Sequence, residues 1–295
     1  DHVLYPTLTD SGFYTEVHHI NADGEDAGVV YSEMQGCENE AEDKTLQTLM
    51  ETIFEGSGYG YNTGGRLENL RSLTIEKVRE FHKAHYRPNN TFLIVTGPIK
   101  AEQVIDAIMP MEEKILKKSI QVASSQQSKI ARPWTSPVPA LKETIKKQIQ
   151  FPADDEEGGA LVYVAWRGIP WNNFELKHAI SVLWTYLTDS CVSPLHKAFV
   201  EAESGQLAGR VEFGADDYSE FMHFVNFASV PVEHAEKLEE RLFQVLEQVQ
   251  KEGIDMTRMK RVISKSIVKH LSEFEEDPHR FFSSCLIDDF LYGNT

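Results

Sequence analysis

The sequence predicts an α+β protein of two domains, each with helices packed on a mainly antiparallel sheet. Three observations carry this reading. Strand-like and helix-like stretches follow one another in mixed order, as in layers of helices on a sheet. A segment at 110–140 is poor in apolar residues at its centre, bears Pro133, Pro137 and Pro139, and separates two halves built from the same alphabet. The length of 295 residues suits about two domains. The expected divisions are 1–110 for the first domain, 111–140 for the linker and 141–295 for the second domain.

In the first half, residues 13–20 (FYTEVHHI) alternate and carry aromatics, which suits a short strand or an extended entry. Residues 42–55 place Leu46, Leu49, Met50, Ile53 and Phe54 at three- and four-residue spacings, the period of a helix. The loop after it, from Gly56 through Gly65, lacks the G-x-x-x-x-G-K-[ST] pattern of a phosphate cradle. Arg66 is its fixed cation, able to meet a carboxylate. Thr74 is placed to cap a helix with Glu76 in its first turn and Val78 and Phe81 on its apolar side. Residues 91–96 (TFLIVT) read as a strand closed by Gly97-Pro98, followed by a short helix at 101–108 and a charged helical piece at 111–120.

In the second half, strands are expected at 143–151 and 160–166, with an acidic turn at 154–157 between them. A long helix opens at Asn172 and a shorter piece covers 194–201. Residues 209–213 and 221–228 read as strands, the latter setting Phe221, His223, Val225 and Phe227 against Met222, Phe224 and Asn226. Leu238, Leu242, Val245, Leu246 and Val249 mark an amphipathic helix. Asp255 caps the next helix, and Asp277-Pro278 ends it before a last one begins.

Composition narrows the function. The net charge of −17 argues against nucleic acid, which needs a basic footprint. It suits basic or amphipathic peptides, and it also serves solubility. No run of about 18 apolar residues exists, so no membrane span is expected. Cys37, Cys191 and Cys285 are odd in number and far apart, which fits free thiols in a reducing compartment. The expected location is cytoplasmic, with the mitochondrial matrix as the alternative.

The stretch Gly28-Val29-Val30-Tyr31-Ser32-Glu33-Met34-Gln35-Gly36 holds a carboxylate, Glu33, inside an apolar, helix-compatible turn. Such a group is costly unless metal, hydrogen bonds or exposure resolve it. Asp26 stands seven residues earlier, so on a continuous helix both acids share one face. Taken alone, Glu33 reads as a solvent-facing or helix-terminal carboxylate. His18-His19 are adjacent and diverge on either backbone, so they read as turn residues rather than joint ligands. His82 and His85 have a chelating spacing without a third ligand beside them, and packing or capping is the favoured reading.

The run GVVYSEMQG, preceded by Glu25-Asp26-Ala27, resembles the distal-glutamate segment of the pitrilysin family of zinc metallopeptidases, the inverted zincins, nearest to its presequence-protease-like branch. The unit from Leu73-Thr74 through Phe81-His82, Tyr86, Pro88-Asn89-Asn90, Leu93 and Gly97 resembles the scaffold end of that family's first domain. After residue 140 the likeness is one of pattern, in Ser193-Pro194-Leu195, Leu207-Ala208 and Gly253-Ile254-Asp255. The resemblance implies two pitrilysin-type domains, the first truncated at its N-terminus, and a clamshell enzyme that hydrolyses peptide bonds in peptides or unfolded segments. It implies zinc as cofactor, Glu33 as the third protein ligand, and Asp26, where many members have Glu, as a residue supporting that ligand.

The family's H-x-x-E-H, with two histidine ligands and the general base, is absent from the chain, which starts at Asp1. The reading therefore expects a fragment cut downstream of the catalytic helix, with no catalytic residue of its own and no activity alone. Its partners would be a peptide substrate and the remainder of its own chain, namely the catalytic helix and a C-terminal half. The alternative implied by the same resemblance is a non-catalytic structural homologue, as in respiratory-complex core subunits.

Overall fold

A computed structural model describes residues 2–122, 134, 136–151, 159–201 and 205–293, with side chains at 118–122 left aside. Its helices and two small antiparallel sheets make it α+β. By contact the chain divides into two units: residues 1–37, 62–133 and 278–288, and residues 38–61, 134–277 and 289–295. Residues 38–61, counted above with the first domain, pack with the second unit.

The first unit opens with α1 (Asp10–Glu16), where Thr9 Oγ1 accepts from Gly12 N at 3.1 Å. This cap takes the first half of the 13–20 stretch into a helix and leaves only β1 (His19–Ile20) as strand. β1 pairs with β2 (Asp26–Ala27) in a hairpin whose turn Asn21 closes, its side chain accepting from the Asp23 and Glu25 amides at 2.9 Å. Then come α2 (Val29–Asn39), α4 (Leu67–Ser72) and α5 (Ile75–His85), the last capped by Thr74 as expected. The small core joins Tyr31, Met34 and Leu70, with Val17, Val30 and Leu67 against it.

Two expectations in this unit are corrected. Residues 91–96 pair with no strand among the described residues, and Phe92, Leu93 and Val95 are exposed. A β-prone stretch becomes a strand only beside a partner strand, and the hairpin β1–β2 does not reach it. The two helical pieces at 101–108 and 111–120 are one helix, α6 (Ala101–Val122), running through Pro110. Proline removes one backbone donor there, and the helix-forming residues on both sides carry the helix past it.

The second unit contains α3 (Ala41–Ile53) and a three-stranded antiparallel sheet in the order β3 (Ala160–Pro170), β5 (Glu220–Val230), β4 (Arg210–Asp217). Val225 of the central strand faces Val164 on one side and Phe213 on the other. The alternation of β5 sends Val225 and Phe227 to one face, where they meet α7 (Phe174–Thr188), α8 (Pro194–Phe199) and α10 (Leu238–Glu252). It sends Met222 and Phe224 to the other face, against Ile53, Phe54 and Val138. α9 (Val232–Ala235) leads from the sheet into α10.

Gly253 ends α10 at φ +84°, its N–H closing on Val249 O at 2.9 Å, and Asp255 caps α11 (Met256–Glu276). α12 (Pro278–Tyr292) follows the break at Asp277. The expected strand at 143–151 has no ladder in the described part. Ser124–Ser128 and Pro133 of the linker, and the acidic turn at 154–157, lie outside the described residues.

Buried charges tie this unit together. Arg167, its side chain 5% exposed, donates from Nε to Ile53 O at 2.6 Å and from Nη1 to Glu220 at 2.7 Å. Its Nη2 donates to Pro139 O, and the guanidinium lies over Phe54. Lys177, equally buried, meets Asp217 at 2.6 Å among Trp171, Phe174 and Phe221.

Candidate functional site

The segment that holds Glu33 starts with a backbone constraint. Gly28 has φ +133°, and a Cβ there would lie 2.6 Å from Val17 O. Only glycine takes that conformation at that closeness, so the chain turns sharply from β2 into α2. Ser32 N closes the first helical turn on Gly28 O at 2.9 Å. Tyr31 and Met34, three residues apart, are buried on the inner face. Met34 is seated against Gly64, where any Cβ would overlap its sulfur.

Glu33 falls on the opposite side of α2. It is exposed, in line with the exposed Val29 and Gly36, and a Cβ on Gly36 would meet nothing within 4 Å. No hydrogen bond or ion pair engages Glu33 among the described residues. The expectation that the carboxylate is costly among apolar neighbours is resolved by exposure: the helical period separates it from Tyr31 and Met34.

Asp26 does not share a helix face with Glu33. The helix begins at Val29, and Asp26 belongs to β2, so the seven-residue spacing is not a two-turn spacing. Asp26 is instead the centre of its own network. Arg71 of α4 meets it with two bonds, Nε to Oδ1 at 3.3 Å and Nη2 to Oδ2 at 2.8 Å. His18 Nε2 lies 2.6 Å from Oδ1, and Tyr31 donates to Oδ2 at 3.2 Å. Arg71 also bonds the Tyr31 hydroxyl and lies over its ring, 5.1 Å from the centroid. Foremost the Arg71 guanidinium, then the His18 and Tyr31 bonds, hold the Asp26 carboxyl far below the usual carboxylate range. In return, Asp26 raises the pKa of Arg71.

The sequence did not disclose Arg71 as the partner. Arg66, the cation singled out there, stands 4.0 Å from Glu68 on the surface. The other histidines serve the structure. His19 Nδ1 is 3.0 Å from Tyr14 O. His82 reaches Val3 O at 2.8 Å and stacks on Tyr86, and His85 packs on Phe81.

A catalytic zinc takes three protein ligands and keeps a fourth position open. Among the described residues no group of three or more His, Cys, Asp or Glu is placed to hold a metal ion. The donor set around Glu33 is one carboxylate, so these residues do not by themselves fit a catalytic zinc. Chemically, the arrangement offers a single free carboxylate on a helix whose entry is fixed by Gly28, Tyr31 and the Asp26–Arg71 pair.

A family model described as the peptidase M16 inactive domain matches residues 72–266. An uncharacterized protein of Schizosaccharomyces pombe is 34% identical, over all of this chain and 28% of its own length. The mitochondrial presequence protease of Xenopus laevis is 24% identical over 90% of this chain and 26% of its own length. The chain thus spans little more than a quarter of these relatives. Two solved structures share the fold: complex III2 of Candida albicans (TM-score 0.63, 15% identity, 90% of this chain, 61% of that one) and a protease of Helicobacter pylori (0.56, 15%, 90%, 64%).

Proposed function

The chain belongs to the M16, or pitrilysin, family of peptidases, and from that premise we propose that it forms part of a zinc metalloendopeptidase to which it supplies Glu33 as a metal ligand. One observation carries this. In a run that resembles the family's distal-glutamate segment, Glu33 presents an exposed carboxylate on α2. The other ligands and the general base would come from outside residues 1–295. Zinc, when bound, would polarise a scissile carbonyl and acidify a bound water. Asp26, through Arg71 and Tyr31, would set the entry of α2 and so the direction of Glu33, without touching the metal.

The substrates in this reading are peptides or unfolded segments, drawn toward an acidic protein when they are basic or amphipathic. The compartment in this reading is the cytosol, with the mitochondrial matrix as the alternative; the presequence protease it resembles is mitochondrial. No helix of the described residues is long and apolar enough to cross a membrane.

The test is metal content and cleavage of an unstructured quenched peptide by the full-length protein. Glu33→Gln should lose bound zinc and activity together, while Glu16→Gln on α1 keeps both. Zinc retained by Glu33→Gln would reject the assignment. A second reading is a non-catalytic structural subunit, favoured by the inactive-domain match and the likeness to a complex III chain. It requires the full-length protein itself to bind no zinc and cleave nothing.

A further inference from the structure

The second unit carries a basic groove that nothing in the peptidase reading uses. A cavity of about 770 Å³ opens between the segment after α7 and helices α8, α10 and α11. Five of its lining residues are cations and three are acids, in a chain of net charge −17. The acids are already engaged. Asp189 is paired with Lys265 at 2.7 Å, Asp255 accepts the first amides of α11, and Glu252 accepts from Gln248 at 2.8 Å. Arg258 is committed to the Tyr186 carbonyl and to Ser193 Oγ.

That leaves Lys197 of α8, Arg241 of α10 and Arg261 of α11 without a carboxylate among the described residues. The nearest engagement is a long bond from Arg241 to the neutral Gln244. They sit on three different helices around one opening. Between them the floor is aliphatic: the partly exposed Val249 of α10, with the nearly buried Val245 of α10 and Val262 of α11 behind it. Arg241 and Glu252 are eleven residues apart on α10, so the groove runs roughly 16 Å along the helix.

We propose that this groove binds an acidic, amphipathic peptide segment, its carboxylates on Lys197, Arg241 and Arg261 and its aliphatic side chains on the valine floor. Arginine forks are suited to carboxylates, and the cavity size fits a short peptide stretch. The floor decides against a compact polyphosphate. Val245, Val249 and Val262 offer its remaining oxygens no donor, whereas the leucines of a peptide cover them.

The overall charge of the protein repels an acidic peptide, so binding reports the groove and not the general field. The experiment titrates the full chain, in chelator to prevent cleavage, into a short fluorescein-labelled peptide of glutamate and leucine, read by anisotropy. A lysine and leucine peptide and inorganic pyrophosphate run beside it. Binding of the acidic peptide should weaken as salt rises, and should fall at least about tenfold in Arg241→Glu/Arg261→Glu. Lys197→Glu, at an exposed cation on α8, should weaken it too and serves if the double variant does not fold. Equal affinity for wild type and a folded variant overturns the proposal, as does no binding at low salt. Pyrophosphate binding that the double variant loses, with no peptide binding, replaces the peptide with a small phosphate anion.

Discussion

Arg71 and Asp26, 45 residues apart, form a two-pronged ion pair that closes over the Tyr31 hydroxyl and fixes the start of the helix bearing Glu33. Both side chains are partly exposed, at 48% and 29%, so the value of the pair lies in geometry more than in charge. Asp26→Ala and Arg71→Ala should each lower the thermal midpoint, and the double variant should lower it by less than the sum of the two, because each change already breaks the Asp26–Arg71 contact. Glu33→Gln should leave the midpoint unchanged. Additive losses in a double-mutant cycle would show that Asp26 and Arg71 act independently.

Acid should weaken the protein in two windows. His223 is buried among Trp166, Trp184 and Phe221, and burial lowers its pKa. It takes up a proton less readily folded than unfolded, so the unfolded chain binds more protons as pH falls below about 6.5, and stability drops there. Asp26 has a lowered pKa, so its contribution is present above the ordinary value of 3.8 and is lost as pH falls through the folded value. His223→Phe keeps the ring stacking and should remove the upper step only, as followed by tryptophan fluorescence in urea at pH 7 and pH 5.5. An unchanged upper step in that variant would assign it to another group.

Arg167, which the sequence did not single out, ties three segments of the second unit together. It bonds the last carbonyl of α3, Pro139 and Glu220 from a buried position. Arg167→Met keeps an apolar stem but loses the guanidinium over Phe54 and strands those acceptors, and should cost about 2–4 kcal/mol. Urea melts monitored by tryptophan emission measure it, and a loss under about 0.5 kcal/mol, the scale of a plain surface change, would contradict this role.

What the sequence disclosed follows the range of the interactions. α10 and the Asp255 cap of α11 were readable because the helical period and a cap are local. Residues 91–96 and 143–151 have strand composition, but a ladder depends on a partner that composition does not specify. Asp26 could be matched to a motif, yet its pairing with Arg71 spans 45 residues and leaves no local pattern. The outward direction of Glu33 follows from Gly28, whose conformation decides where α2 begins.

Residues 1–295 alone should show no chelator-sensitive peptidase activity and no tight zinc site. A water on zinc needs a base within hydrogen-bond reach, and a zinc needs three protein ligands. Glu33 is one carboxylate, and the histidines that the sequence singled out are engaged: His18 with Asp26, His19 with Tyr14 O, His82 with Val3 O and His85 with Phe81. Freeing His18 breaks the Asp26 network, so recruiting it would unlock the entry of α2. Equilibrium dialysis with zinc should give weak binding, lost in Glu33→Gln, and the quenched peptide should stay uncut. Turnover by this piece that Glu33→Gln abolishes would establish a second set of ligands within it.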